Sequence, residues 1–210
     1  MEKNLKGKIL ITGASGLLGK ELVNVFLKND FFVFAQYHNK KLEQKKNLEC
    51  LCADFSSLKG IRDFLGKNKN RFKPCEYLIN NYGPITYKNI VDLESEDFLN
   101  DFHNNVVTTF EITDFFVKNT SIKSVVNLGF DSIGKIKTYK KILTYACAKN
   151  SVLLLTKSFA KQYVNICFNM VSPRILEGAS VELKKERKIS PEKVAIGIYN
   201  KIVGLDKDVF

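Results

Sequence analysis

The stretch Ile9-Leu10-Ile11-Thr12-Gly13-Ala14-Ser15-Gly16-Leu17-Leu18-Gly19-Lys20 passes from a short apolar run straight into a segment with apolar residues at helical spacing. Gly13, Gly16 and Gly19 punctuate the junction. Glycines so placed allow a tight turn, a close backbone approach to a pyrophosphate, and a close contact between the helix and the strand before it, with the helix N-terminus facing the phosphates. Opening the first strand-to-helix turn, this pattern predicts a dinucleotide-binding unit. A glycine turn of purely structural use is the competing reading, and it leaves the next unit unexplained.

The next apolar run ends in Phe34-Ala35-Gln36-Tyr37-His38-Asn39-Lys40-Lys41. A dinucleotide fold meets the adenosine ribose here, where an acid binds the 2′-hydroxyl of NAD and basic residues suit the 2′-phosphate of NADP. No acid is present, whereas His38, Lys40 and Lys41 are. NADP is therefore expected as cofactor, with NAD less favoured.

Further apolar runs recur at Leu48–Ala53, Tyr77–Ile79, Val125–Leu128 and Ile166–Val171, and helical spacing is clearest over Leu17–Leu27, Phe98–Val117 and Tyr145–Tyr163. Strands alternating with helices imply parallel strands joined by helical crossovers. The expected fold is α/β: a doubly wound parallel sheet of Rossmann type in three layers, one domain over residues 1–210. The irregular stretches Ser132–Thr144 and Pro173–Ser190 follow strands, so they should border a ligand site beyond the carboxyl ends of the sheet. A last helix is expected over Pro191–Val203, with Ser190 as its cap.

Composition narrows the function classes. No stretch approaches the roughly 20 apolar residues of a membrane span, and MEKNLKGK lacks the apolar core of a signal peptide, so a cytoplasmic protein without a membrane partner is expected. The five cysteines, Cys50, Cys52, Cys75, Cys147 and Cys167, show no Cys-x-x-Cys pair and read as reduced packing residues, with no metal site. The formal charge of +11 is compatible with an anionic partner, but Lys is abundant throughout, and charge alone does not make a nucleic-acid binder.

Five features in order resemble the short-chain dehydrogenase/reductase family: the Thr12–Gly19 turn, Asp54 after the third strand, Asn80-Asn81-Tyr82-Gly83 after the fourth, Asn105 in the long helix, and Tyr145-Ala146-Cys147-Ala148-Lys149. The resemblance covers almost the whole chain. It implies an NAD(P)-dependent oxidoreductase with Tyr145 transferring a proton, Lys149 holding the nicotinamide ribose and favouring the phenolate, and Asn105 anchoring a water that relays protons to Lys149. Asn104 takes that place if the register slips by one. Cofactor contacts are implied for Gly13, Ser15, Gly16, Leu17, Leu18 and Gly19 in the turn, for Tyr37, His38 and Asn39 after the second strand, and for Asp54 and Phe55 after the third. Asn81, Tyr82 and Gly83 would wall the cofactor, and Pro173, in Asn169-Met170-Val171-Ser172-Pro173, would lie near the nicotinamide.

The chain also departs from the family. Tyr82 replaces a usual alanine, so it should narrow the cofactor wall or turn outward, and Arg174 stands where glycine is usual. Aligning Asn127-Leu128-Gly129-Phe130-Asp131-Ser132 on the fifth strand puts Phe130 at the position of the family's catalytic serine. Counting back from Tyr145 puts Ser132 there instead, and Asp131 is open if the loop bulges, as is no replacement at all. The chain stops soon after the last helix, where many members continue into a final strand, so the subunit contacts of an expected homodimer or homotetramer are organised differently or that strand is shortened. The expected activity is hydride transfer to a carbonyl or C=N substrate, pteridine-like or a 3-oxoacyl thioester carried on an acyl carrier. Basic residues in the two irregular loops, Lys135, Lys137, Lys140, Lys141, Lys184, Lys185, Arg187 and Lys188, suit an anionic substrate. Resemblance to pteridine reductase-like members rests on Tyr82-Gly83-Pro84 and on Leu176-Glu177. The rival is a dinucleotide-binding regulator of the same fold without turnover, motivated by Phe130; Tyr145 and Lys149 together favour the enzyme.

Overall fold

Gly7–Ile11 (β1) and Phe31–Tyr37 (β2) are nearly continuous apolar runs, the pattern of strands covered on both faces. The computed structural model describes residues 5–131, 133–134, 138–179 and 188–204. In it, β1 and β2 join Leu48–Cys52 (β3), Tyr77–Asn80 (β4), Ser124–Leu128 (β5) and Cys167–Val171 (β6) in one six-stranded sheet. Every pairing is parallel and the order is β3-β2-β1-β4-β5-β6. The chain winds outward from β1 to β3, then crosses back to β4 on the other side of β1. The crossing leaves a crevice beyond the carboxyl ends of β1 and β4, whose register pairs Ile11 with Ile79.

Helices Leu17–Lys28 (α1), Leu58–Phe72 (α2), Ser95–Phe102 (α3), Thr108–Asn119 (α4), Leu143–Gln162 (α5) and Pro191–Ile202 (α6) complete the layers. Strand alternation divides the core in two. Ile9, Ile11, Val33 and Ala35 point to α1 and α6, where they meet Leu22, Phe26, Val194 and Ile198. Leu10, Phe34 and Leu78 point the other way, to Ile61, Phe64 and Phe72 of α2 and Ile112 and Phe116 of α4.

Several expectations need correction. The segment Phe98–Val117 is not one helix: α3 and α4 are separated by a π-helical turn, His103–Val107, in which Thr108 Oγ1 donates to His103 O at 3.0 Å. Helix α2 has no counterpart in the periodicity reading because Lys and Asn dilute its apolar face. Ser190 occupies the N-cap of α6 but its side chain makes no capping bond; Pro191 at the first helical position starts the helix instead. The five cysteines are all free, but Cys52, Cys147 and Cys167 are exposed, so packing explains only the buried Cys75 and the half-buried Cys50, which lies against the core.

A buried polar chain ties the sheet to α5. Asn80 Nδ2 donates to Thr113 Oγ1 (3.1 Å) and Asn127 Oδ1 (2.8 Å), Asn127 Nδ2 donates to Thr156 Oγ1 (2.8 Å), and Thr156 Oγ1 donates to Val152 O (2.7 Å). These bonds link neighbouring residues of β4 and β5 to the middle of the helix that carries Tyr145 and Lys149. Asn127→Ala strands a donor on Asn80 and an acceptor on Thr156, which costs about 1–3 kcal/mol. The expected consequence is a melting temperature lower by roughly 3–10 °C in calorimetry; an unchanged Tm would show that the chain contributes nothing to stability.

Candidate active site

The crevice is laced by one hydroxyl. Thr12 Oγ1 accepts hydrogen bonds from the amides of Asn81 and Tyr82, each at 3.0 Å, while Asn81 Nδ2 donates to the carbonyls of Thr12 (3.1 Å) and Gly13 (3.0 Å). Gly13 has φ +60°, and a Cβ on Gly19 would collide with the carbonyl of Gly13 and come within 2.7 Å of Ala14 Cα. Glycine at both places is thus required for the turn to close on α1. The first turn of α1 carries neither a side-chain cap nor an acid, so its amides and the positive end of its dipole face outward beside Ser15 and Gly16. Gly178, in the segment after β6, approaches the exposed Leu17, bringing that segment over the turn.

The end of β2 holds a residue missed in the sequence. Gln36 is buried; its Oε1 accepts from the amide of Gly13 (2.8 Å) and its Nε2 donates to Ala53 O (2.8 Å), joining the glycine turn to the end of β3. Its only sequence signal is a lone amide in an apolar strand. Beyond it, His38 Nε2 lies 3.9 Å from Asp54 Oδ2, and the amide of Ser56 donating to Asp54 Oδ1 (2.8 Å) holds that carboxyl below the usual range. Asp54 therefore shapes its own turn, while Ser57 caps α2 by accepting from the amide of Gly60 at 3.1 Å. A cavity of about 340 Å³ extends from Ser15 between α1 and residues 40–48, lined by Lys20, Asn24, Lys40, Lys41, Glu43 and Lys45. A larger hollow of about 450 Å³ lies against the β3 edge near Lys67 and Arg71, away from the crevice.

Tyr145 and Lys149 project from one face of α5 beyond β4 and β5. Lys149 Nζ lies 5.6 Å from the centre of the Tyr145 ring and donates to Leu128 O at 2.9 Å. Asn105 is fully buried in the π turn, with Nδ2 committed to Pro84 O (3.1 Å) and Asp101 O (3.0 Å). This turns Oδ1 toward Gly83, where an added Cβ would collide with it and lie 3.0 Å from Lys149 Nζ. Asn105 Oδ1 has no partner among the described residues and stands ready to accept a proton donor. Asn104 instead accepts from Tyr82 Oη at 2.9 Å, so Asn105 is the one beside Lys149. Tyr82 turns sideways, its ring edge-on to Phe55 at 5.4 Å.

One electrostatic expectation fails. Lys149 was expected to draw the Tyr145 phenol down, but burial, seconded by the charge of Asp101, pushes it up. Burial also drives Lys149 down to about 8, against an upward pull from Asp101. Desolvation disfavours both charged forms and is the larger cause for each. Asp101 is the second residue missed, one of three acids in a polar-looking helix.

Phe130 lies next to Tyr145, ring centres 5.9 Å apart, and packs on Tyr139 at 5.7 Å. Asp131 is exposed, and Ser132 lies outside the described residues. The same holds for Lys135, Lys137, Lys184, Lys185 and Arg187; Lys140 is exposed and Lys141 lies over the Tyr87 ring at 5.2 Å. Pro173 is half-buried just beyond β6, and Ser172 Oγ beside it would meet a Cβ on Gly129 at 2.6 Å. Among the described residues no cluster of three or more His, Cys, Asp or Glu is arranged to hold a metal, and no helix is long and apolar enough to cross a membrane.

A profile of the family described as short chain dehydrogenase matches residues 7–188. An uncharacterized oxidoreductase of Thermotoga maritima is 25% identical over 204 residues, covering 91% of this chain and 80% of its own. A 3-oxoacyl-[acyl-carrier-protein] reductase of Chlamydia pneumoniae is 28% identical over 194 residues, covering 84% of this chain and 77% of its own. Among solved structures, 4-hydroxyisoleucine dehydrogenase complexed with NADH superposes with a TM-score of 0.82 at 21% identity, covering 94% of this chain and 91% of its own. That likeness is one of fold.

The displaced Lys149 makes stability depend on pH. Its folded value near 8 lies below the ordinary 10.5, so its penalty is complete below about pH 8 and fades as pH rises toward 10.5. The buried Cys75 thiol, pushed up to about 12 from 9.0, acts oppositely above pH 9. Between pH 8 and 9, therefore, the Lys149 effect is read alone: the Tm of Lys149→Met minus that of the wild-type protein should decline over this interval. A pH-independent difference would contradict the displaced amine.

Proposed function

Because the chain belongs to the short chain dehydrogenase family and is an oxidoreductase, we propose that it is an NADPH-dependent reductase of a carbonyl or C=N bond, with 3-oxoacyl thioesters and pteridines as leading substrate classes. The observation that carries this reading is the meeting of Tyr145, Lys149 and Asn105 at the carboxyl ends of β4 and β5, next to a glycine turn shaped for a pyrophosphate. The bound dinucleotide supplies the hydride. Tyr145 donates its phenolic proton to the substrate oxygen or nitrogen, acting as general acid. Lys149 offers its remaining N–H groups to the ribose hydroxyls and to the phenolate as it forms. Asn105 Oδ1, beside Lys149, receives the proton path that reloads the pair. Phe130 flanks Tyr145 with an apolar ring and keeps water from that side.

Cofactor preference rests on the end of β2. Gln36 is occupied within the fold, which leaves Tyr37, His38 and Asn39 at the ribose, and Ser15 opens into the cavity lined by Lys20, Lys40, Lys41 and Lys45. A 2′-phosphate would meet four lysines there against one acid, Glu43. Lys140 and Lys141, exposed just ahead of α5, suit a substrate with an anionic tail, and exposed Phe98, Phe102, Phe110 and Leu154 on α3, α4 and α5 support a homodimer or homotetramer.

The direct test is a panel of 3-oxoacyl thioesters, pterins and simple carbonyls, following NADPH absorbance. Tyr145→Phe should lower kcat by about 10²–10⁴, the contribution of a positioned general acid, with NADPH still bound. Full activity in that variant would remove Tyr145 from the mechanism, and tight NADPH binding without turnover on any substrate would favour the regulator. In titration calorimetry NADPH should bind at least about tenfold more tightly than NADH, one charge-assisted contact; equal dissociation constants would refute the preference.

A further inference from the structure

Asp101 sits on the last turn of α3, four residues before Asn105, and is only 2% exposed. Its Oδ1 accepts from Thr86 Oγ1 at 3.0 Å and its Oδ2 from Thr144 Oγ1 at 2.5 Å, while its backbone carbonyl accepts from Asn105 Nδ2 at 3.0 Å. Thr144 is the second residue of α5 and immediately precedes Tyr145. Helix α5 has no side-chain cap and no acid in its first turn, so a carboxylate from the neighbouring helix supplies the negative charge that its dipole favours there. A carboxylate is expensive to bury, and an apolar residue would fill this helix position without that cost.

The charged groups around it are accounted for. On α3, Asp97 pairs with Lys88 at 2.8 Å. In the π turn, His103 Nε2 meets Phe55 O at 3.0 Å. Ahead of α5, Lys140 and Lys141 are exposed. On α5 stand Tyr145 and Lys149, and among the described residues no carboxylate lies within ion-pair distance of the buried Lys149.

We propose that Asp101 is a positioning residue which, through Thr144 and through space, holds Lys149 as ammonium and Tyr145 as phenol, poising the pair to give a proton rather than to take one. This rests on the reductase reading and gives it a direction. The charge on Asp101 acts upward on both Tyr145 and Lys149, consistent with the geometry.

The test reads Lys149 without turnover. In protein labelled with [13Cε]lysine, the Lys149 resonance is identified by its loss in Lys149→Arg and followed from pH 6 to 10. Asp101→Asn keeps the shape and one acceptor oxygen but removes the charge, so the midpoint should fall by about one pH unit. An unchanged midpoint would reduce Asp101 to a structural cap and overturn the proposal. If Asp101→Asn does not fold, Asp101→Ser, which also removes the charge, takes its place; the midpoint should again fall, and no movement overturns the proposal equally. Where turnover is measured, the ratio of oxidation to reduction at fixed pH should rise in Asp101→Asn. Absence of turnover in the wild-type protein counts against the reductase reading alone and leaves the titration standing.

Discussion

The hydroxyl of Thr12 holds the two sides of the crevice together, because it accepts the amides of both Asn81 and Tyr82 where β1 and β4 diverge. A parallel sheet that reverses its winding direction leaves unsatisfied backbone at that point, and the cost of burying it unpaired exceeds that of a single side-chain bond. With Thr12 in place, Asn81 can fold back on Gly13, Gly83 can pass close to Asn105 and Lys149, and the wall of the crevice acquires its shape. The glycines follow from this geometry: wherever two turns approach this closely, no Cβ fits.

Tyr145 and Lys149 are held by a different set of constraints. Lys149 is anchored to the last carbonyl of β5, and Asn105 is aimed by a helix that opens one residue wide to release the Asp101 carbonyl. π-helical turns of this kind are frequent at functional sites because the extra residue redirects a side chain without ending the helix. Burial and charge then compete. Desolvation keeps Tyr145 protonated and weakens the ammonium of Lys149, whereas Asp101 reinforces the first effect and opposes the second. Burial and Asp101 thus both favour the neutral phenol, in keeping with the proposed reduction.

Much of this was legible in the sequence because buried parallel strands are short, apolar and bounded: every strand was located from its hydrophobic run to within a few residues, and the glycine turn marked the first crossover. The pairing of Tyr145 with Lys149 on one helix face followed from their spacing alone. Less legible were features whose signal is a single residue. Gln36 looks like the polar end of a strand, and only its two bonds show that it joins three strands' ends. Asp101 resembles any surface acid in Ser95–Phe102 until the burial of its carboxylate against Thr86 and Thr144 is seen. Helix α2 hid its four apolar anchors, Ile61, Phe64, Leu65 and Phe72, among lysines and asparagines. The phenol's displacement was misjudged because proximity to a cation is visible in a sequence and desolvation is not.

The central claim is that the crevice of β1 and β4 delivers a dinucleotide's nicotinamide to Tyr145. The most direct measurement is the distance from nicotinamide C4 to Tyr145 Oη in a crystal structure of the NADP⁺ complex. The account predicts C4 on the Tyr145 side of the crevice, at a separation that one substrate carbonyl bridges, with the ribose within hydrogen-bond reach of Lys149 Nζ, about 2.7–3.2 Å. A dinucleotide bound elsewhere, or bound in the crevice with its nicotinamide turned away from Tyr145, would contradict it.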